Sequence, residues 1–225
     1  MQKKDVNNFL NIGAIKSTQE TCPFTDAKCI KISKTDLGIC SYCFKNVDQV
    51  ICPKFFNKTN FIEEAANVVF QHSNFKVLKE VKFKTNYFDF VVVDANEYRN
   101  FFVIELQTLD TCGSYKHFYN KTSKPLTINW KTTEKNLVSQ IIEKSTILKE
   151  YNSKLVVVVQ DSLYDYMKLF ESDKKNGDVI FQIYENKNTE LLFKKTAYVT
   201  LESIKNRFNI HDQTNLLEII NNNLK

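Results

Sequence analysis

Asn86-Tyr87-Phe88-Asp89-Phe90-Val91-Val92-Val93, followed by Phe101-Phe102-Val103-Ile104-Glu105-Leu106-Gln107, is the stretch that decides the fold. Both runs are rich in β-branched and aromatic residues and read as neighbouring strands. Each carries an acid in surroundings too apolar for a solvated face. A buried carboxylate costs several kcal/mol unless it is paired, neutralised or bound to a metal. Side chains two apart on a strand share a face, so Glu105 and Gln107 point together and Ile104 and Leu106 point the other way. If the two strands pair, Asp89 joins the Glu105 face. Two carboxylates and an amide at one spot make a hard-cation site suited to Mg²⁺. Its commonest chemistry is metal-assisted phosphodiester hydrolysis, with a bound water made acidic enough to attack. Gln107 can position that water but carries no charge. Lys82, Lys84 or Lys116 could supply a cation at the transition state, and Glu63 or Glu64 could reach a second metal or an outer water. The alternative is structural, with Asp89 opening a strand and Glu105 paired to a nearby Lys or Arg.

Working outward, the pattern predicts a helix opening at the capping-box-like Asn60-Phe61-Ile62-Glu63 and running to about 72. Three meandering strands follow at 75–83, 87–93 and 101–107. Residues 108–131 read as irregular, and 133–149 has helical spacing at Leu137, Ile141, Ser145 and Leu148. Leu155-Val156-Val157-Val158-Val159 is apolar throughout, as in a buried strand parallel to a neighbour. A helix at 161–172, a hairpin of 179–184 with 191–199, and helices at 200–208 and 214–224 complete the reading. This order predicts an α/β fold, a mixed β-sheet flanked by helices.

The chain has 225 residues, enough for one core and a small appendage. Its 18 Phe and 10 Tyr against 4 Gly and 3 Pro argue for packed, regular structure. The net charge of +5 permits nucleic-acid binding without requiring it. No apolar run approaches the about 20 residues of a membrane span, and the first residues lack the apolar core of a signal peptide. The expected location is therefore cytoplasmic, with no membrane partner.

Five of the six cysteines fall between 22 and 52. In a reducing compartment such clustering reads as a metal site, ordering a segment with little hydrophobic periodicity. Four thiolates would make a closed, structural zinc or iron centre. Spacing alone favours Cys40 and Cys43 as one knuckle and leaves one of the five spare. Buried thiols or two disulfides are the alternatives. Cys112 stands apart as a simple thiol. The segment Gly113-Ser114-Tyr115-Lys116-His117 leaves the end of the Glu105 strand, where binding groups collect. Tyr115, Lys116 and His117 there either contact DNA phosphates or belong to an ordinary loop.

Taken together, these motifs resemble a known family. Cys22-Pro23-Phe24, a later Cys, Gly38-Ile39-Cys40 and Ile51-Cys52-Pro53 are similar to the metal-binding segment of NotI-type restriction endonucleases. Phe88-Asp89-Phe90, Ile104-Glu105-Leu106-Gln107-Thr108-Leu109-Asp110 and Gly113-Ser114-Tyr115-Lys116-His117 resemble their catalytic core. That family belongs to the PD-(D/E)xK nucleases, here with Gln in place of the final Lys. The resemblance covers about residues 20 to 120; beyond, only Gln140 and Lys144 look familiar. No Pro precedes Asp89, a departure from the pattern. The resemblance implies a restriction-endonuclease-like domain over 57–225 and an arm with a small four-cysteine metal-binding module over 1–56. It implies Asp89, Glu105 and Gln107 as the catalytic set, with Asp89 and Glu105 holding Mg²⁺. It implies Cys22, Cys29, Cys40 and Cys52 as ligands of one iron or zinc ion, with Cys43 an alternative ligand. The expected activity is that of a type II restriction endonuclease, a Mg²⁺-dependent site-specific deoxyribonuclease. Double-stranded DNA would be the substrate and a homodimer the working form, with a cognate methyltransferase as functional partner. A repair or structure-specific endonuclease with the same core, or a non-catalytic metal-stabilised DNA-binding protein, are the alternatives.

Overall fold

The computed structural model describes residues 24–25, 40–41, 47–112, 127–174, 176–187 and 190–210. It also gives the backbone of short strands at 6–7, 15–16, 37–38 and 42–44. Four helices are described: α1 (Phe61–Val69), α2 (Trp130–Lys149), α3 (Asp161–Met167) and α4 (Leu201–Arg207). The main strands are β1 (Phe75–Phe83), β2 (Asn86–Asp94), β3 (Phe101–Gln107), β4 (Lys154–Gln160), β5 (Val179–Lys187) and β6 (Glu190–Val199). They form one six-stranded sheet in the order β6-β5-β4-β3-β2-β1. β1, β2 and β3 meander antiparallel, β4 runs parallel to both β3 and β5, and β6 returns antiparallel to β5. This is a mixed α/β fold with a mostly antiparallel sheet flanked by helices. No helix among the described residues is long and apolar enough to cross a membrane.

β4 is buried from Leu155 to Gln160, as an all-apolar strand with helices on both sides requires. One layer of core holds α2, α3 and α4 against Val103, Val157, Val159 and Phe181. The other holds α1 and a 3₁₀ turn, Pro53–Lys58, against Phe102, Ile104, Val156 and Val158. On α2 the packed stripe is Thr133, Leu137, Ile141, Lys144, Ser145 and Leu148, which follows helical spacing. Most predicted elements fall within a few residues of their observed ends. Two differ. Asn60 precedes α1 but its side chain makes no capping bond. The helix predicted over 161–172 stops at Met167, because Lys168 takes a left-handed conformation (φ 51°) and ends the repeat. The helix expected at 214–224 lies outside the described residues.

The strand Val47–Val50 is tied to the end of β4 by a side chain. Gln160 accepts from Val50 N at 2.8 Å and donates to Asp48 O at 2.7 Å. Beside it, Ser162 Oγ donates to Gln49 Oε1. Removing a buried partner leaves the desolvation cost of whatever it had satisfied. Gln160→Ala should therefore lower stability by about 2–3 kcal/mol, read as a lower midpoint in urea at unchanged slope.

One irregularity shapes the site. Along β2, Val91 and Val93 pack on the α2 side, while Phe90 and Val92 pack on the α1 side. Strict alternation would put Phe88 with Phe90, yet Phe88 packs on the α2 side. β1 behaves alike: Phe75 faces the α1 layer, and Val81 and Phe83 face α2. The phase slips in both strands at Glu80 and Asp89, the one step of this ladder without a pair. Glu80 takes φ 52° there, a left-handed backbone uncommon for a residue with a side chain.

Candidate active site

β2 and β3 pair from Val93/Phe101 to Phe90/Ile104, and the ladder then stops. One further step would set Asp89 opposite Glu105. The strands part there instead, and the Asp89 carboxylate occupies the opening, with Oδ2 accepting from Leu106 N at 2.8 Å. The side chain thus supplies the acceptor that a continuing strand would have offered. Glu105, on the α2 face of β3, is 8 % exposed.

Across from Glu105 stands Lys144, in the buried stripe of α2 and 5 % exposed. Its Nζ lies 2.5 Å from Glu105 Oε2. The same ammonium sits 5.7 Å from the centre of the Phe88 ring, close enough for a cation–π contact. At that distance Lys144 favours the ionised form of Glu105. Gln107 is half-buried at the end of the strand and donates from Nε2 to Thr108 O at 2.6 Å.

Two carboxylates face one buried ammonium, and the imbalance shows in their protonation. Burial, then the neighbouring Asp89 charge, push Glu105 up to about 7, against the opposing pull of Lys144. Asp89 is also raised, first by burial; the Leu106 N–H and Lys144 hold it down, Glu80 pushes it up and Lys54 pulls it down. Lys54 belongs to the 3₁₀ turn that follows Cys52 and packs on β3. A divalent cation held by oxygen would correct this excess of negative charge. Among the described residues no three His, Cys, Asp or Glu side chains stand close enough to cage a metal. Two carboxylates nonetheless fit Mg²⁺, which keeps several waters and completes its shell with substrate phosphate.

The structure therefore brings Asp89, Glu105 and Gln107 to one strand end and adds Lys144. Of the cations considered from sequence, Lys82 and Lys84 are exposed on the β1–β2 hairpin, and Lys116 lies outside the described residues. Lys144 takes that place because α2 lies across the face of β3. A sequence signal for it existed: a lysine three residues after Ile141 and four before Leu148, inside an apolar stripe. Glu63 is exposed on α1, and Glu64 accepts a hydrogen bond from Tyr184 Oη, in the layer opposite Lys144. The structure does not bring either one to Asp89 and Glu105.

Cys40 and Cys52 are both buried, and Cys52 N donates to Cys40 O at 3.1 Å. The two predicted ligands are thus neighbours. Cys22, Cys29 and the Cys43 side chain lie outside the described residues, as do Tyr115 and His117. Cys112 is exposed at the start of that segment. The cysteine segment meets the chain just past β3, where Leu109 N, two residues beyond Gln107, donates to Val50 O at 3.1 Å. The sequence matches no protein-family model and no curated protein.

Proposed function

We propose that this chain is a Mg²⁺-dependent deoxyribonuclease of the PD-(D/E)xK type. In this reading it is a NotI-like type II restriction endonuclease cutting both strands of a specific duplex site. The observation that carries the reading is the convergence of Asp89, Glu105 and Lys144 where β2 and β3 part. A purely structural ion pair would balance one carboxylate with one ammonium. Here a second, half-buried carboxylate, Asp89, stands beside that pair and is held by the Leu106 N–H, an excess of negative charge that suits a cation site. The element order α1-β1-β2-β3-α2-β4 is the order the sequence pattern predicts.

Bound Mg²⁺ would polarise the scissile phosphate and supply an acidified water. Asp89 and Glu105 would hold it from two strands joined at this point by the Leu106 N–H to Asp89 bond. Lys144 offsets charge that builds on the phosphate, from a water-poor position where a cation acts strongly. Gln107 orients the incoming water by hydrogen bonding. One such centre cuts one strand, so a double-strand cut calls for a two-fold homodimer and a palindromic site. The Cys40 and Cys52 segment, as part of an iron or zinc module, would brace β3 through Val50 and Leu109 without taking part in the chemistry.

Digestion of a large, unmethylated DNA with purified protein, in Mg²⁺ and in EDTA, tests this. Discrete Mg²⁺-dependent fragments sharing one terminal motif are expected. DNA left whole across several salts and metals would reject the nuclease, and random nicking would reject the site-specific enzyme in favour of a repair activity.

The raised Glu105 pKa gives this activity a direction in pH. Metal binding needs the ionised carboxylate, so protons and Mg²⁺ compete at Glu105. Cleavage at limiting Mg²⁺ should rise about tenfold per pH unit up to about 7 and level off above it. A profile flat from pH 5.5 to 8 would show that Glu105 does not titrate in the working enzyme.

A further inference from the structure

The two edges of the sheet differ in how their lysines are compensated. On β6, Lys194 pairs with Asp161 at 2.9 Å and Lys195 with Glu171 at 2.6 Å. On the β1–β2 hairpin, residues 76–87 carry four lysines and a single acid, Glu80. Lys79, Lys82 and Lys84 are exposed, and among the described residues no carboxylate pairs with them. Lysine on an edge strand is an ordinary guard against aggregation. Such a guard serves equally well when it is neutralised, as on β6.

The phase slip at Glu80 and Asp89 then matters. Lys79 pairs in register with Phe90, on the α1 side. Residues three apart on a regular strand face opposite ways. Because the phase slips between them, Lys82 emerges on the same side as Lys79, away from Val81 and Phe83. Tyr87, opposite Lys82 in the ladder, is 60 % exposed, and the Lys82 ammonium sits 5.6 Å from the centre of its ring. Lys84 stands apart from this face: it lies at the turn with φ 54°, and its ammonium sits 5.4 Å from the centre of the Phe83 ring. The other side of the hairpin is tied to α2: Asn86 Nδ2 donates to Glu143 Oε1 at 2.9 Å, one residue from Lys144.

We propose that the α1-side face of the β1–β2 hairpin, formed by Lys79, Lys82 and Tyr87, binds the phosphate backbone of duplex DNA. The proposal rests on the nuclease reading and names the surface that tracks its substrate. Lys79 and Lys82 lie about 10 Å apart along the strand. A duplex advances about 3.4 Å per base pair, so the two ammoniums meet phosphates about three base pairs apart. Tyr87 offers a hydroxyl to the backbone between them, held by its contact with Lys82. The contacts are with phosphate, so they add affinity and register with no base preference.

The test is fluorescence anisotropy of a duplex oligonucleotide in EDTA, with affinity measured across a salt series. Each lost phosphate contact lowers the slope of log K against log salt by about 0.9. The double variant Lys79→Gln, Lys82→Gln should lower that slope by about two and weaken binding at least tenfold near about 100 mM salt. Lys194→Gln with Lys195→Gln should leave both unchanged. If the double variant does not fold, Lys79→Gln and Lys82→Gln singly should each lower the slope by about one. Wild-type slope and affinity in the folded variants would overturn the surface. If wild-type protein cuts duplex DNA while the variants keep the wild-type slope, only this surface falls. If wild-type protein neither binds nor cuts a duplex, the nuclease reading falls with it.

Discussion

Glu105→Gln should abolish Mg²⁺-dependent cleavage and, at the same time, stabilise the metal-free protein. Loss of a metal-holding carboxylate removes transition-state stabilisation, and a decline of at least about 10³-fold in cleavage rate is expected, or about 4 kcal/mol. The stability change follows from linkage. Glu105 titrates near 7 in the folded chain, against an ordinary value of 4.5. A raised carboxylate pKa means that the folded state holds its proton more tightly than the unfolded state does. Its contribution is therefore fully present below about pH 4.5 and is lost as pH rises to about 7. The loss amounts to about 3 kcal/mol from this group alone. The substituted amide would be neutral at every pH and would leave Asp89 and Lys144 as a balanced pair. Urea unfolding in EDTA at pH 5 and pH 8 checks the point. The variant should exceed wild type at pH 8 and lie near it at pH 5. Added Mg²⁺ should raise wild-type stability at pH 8 and leave the variant unmoved. A Glu105→Gln protein that cuts as well as wild type would remove Glu105 from the mechanism.

Lys144→Met should have the opposite effect on stability and a comparable one on activity. The methionine fits an apolar stripe between Ile141 and Leu148, so packing is largely kept. Charge is not: Glu105 loses the ammonium at 2.5 Å and still faces Asp89. Breaking a buried pair by removing one partner costs about 3–5 kcal/mol. Glu105 has an escape, since its raised pKa lets it take a proton and go neutral. The deficit should accordingly be large at pH 8 and shrink at pH 5.5, a sign reversed from that of Glu105→Gln. Cleavage should decline by about 10²-fold or more if the ammonium offsets phosphate charge. Lys144→Arg should recover part of the stability but less of the activity, because a planar guanidinium is a different shape from a compact ammonium. A Lys144→Met protein with wild-type cleavage would leave the lysine a structural counter-ion and nothing more.

Two properties of this protein were legible in its sequence. Alternation marks 75–83 as a strand, and apolar length marks 101–107 and 155–159; only 155–159 is apolar throughout, because it is buried on both faces. The same logic exposed Asp89 and Glu105, since an acid inside such a run must have a reason to be there. Gln107 follows from period-two spacing, and the helix over 133–149 from its period of 3.6. What the sequence left open was which groups meet. Lys144 lies 39 positions beyond Glu105. Nothing local marks it as that carboxylate's neighbour until β4 pairs with β3 and draws α2 across the sheet. The parting of β2 and β3 at Asp89, and the phase slip it shares with Glu80, were equally hidden. They break the alternation from which strands are read, and they arise from pairing between three strands. Local pattern fixes which residues are buried, since burial depends on how a segment's own side chains repeat. Charge balance at the site depends on contacts between segments far apart in sequence, so only the assembled sheet and helices decide it.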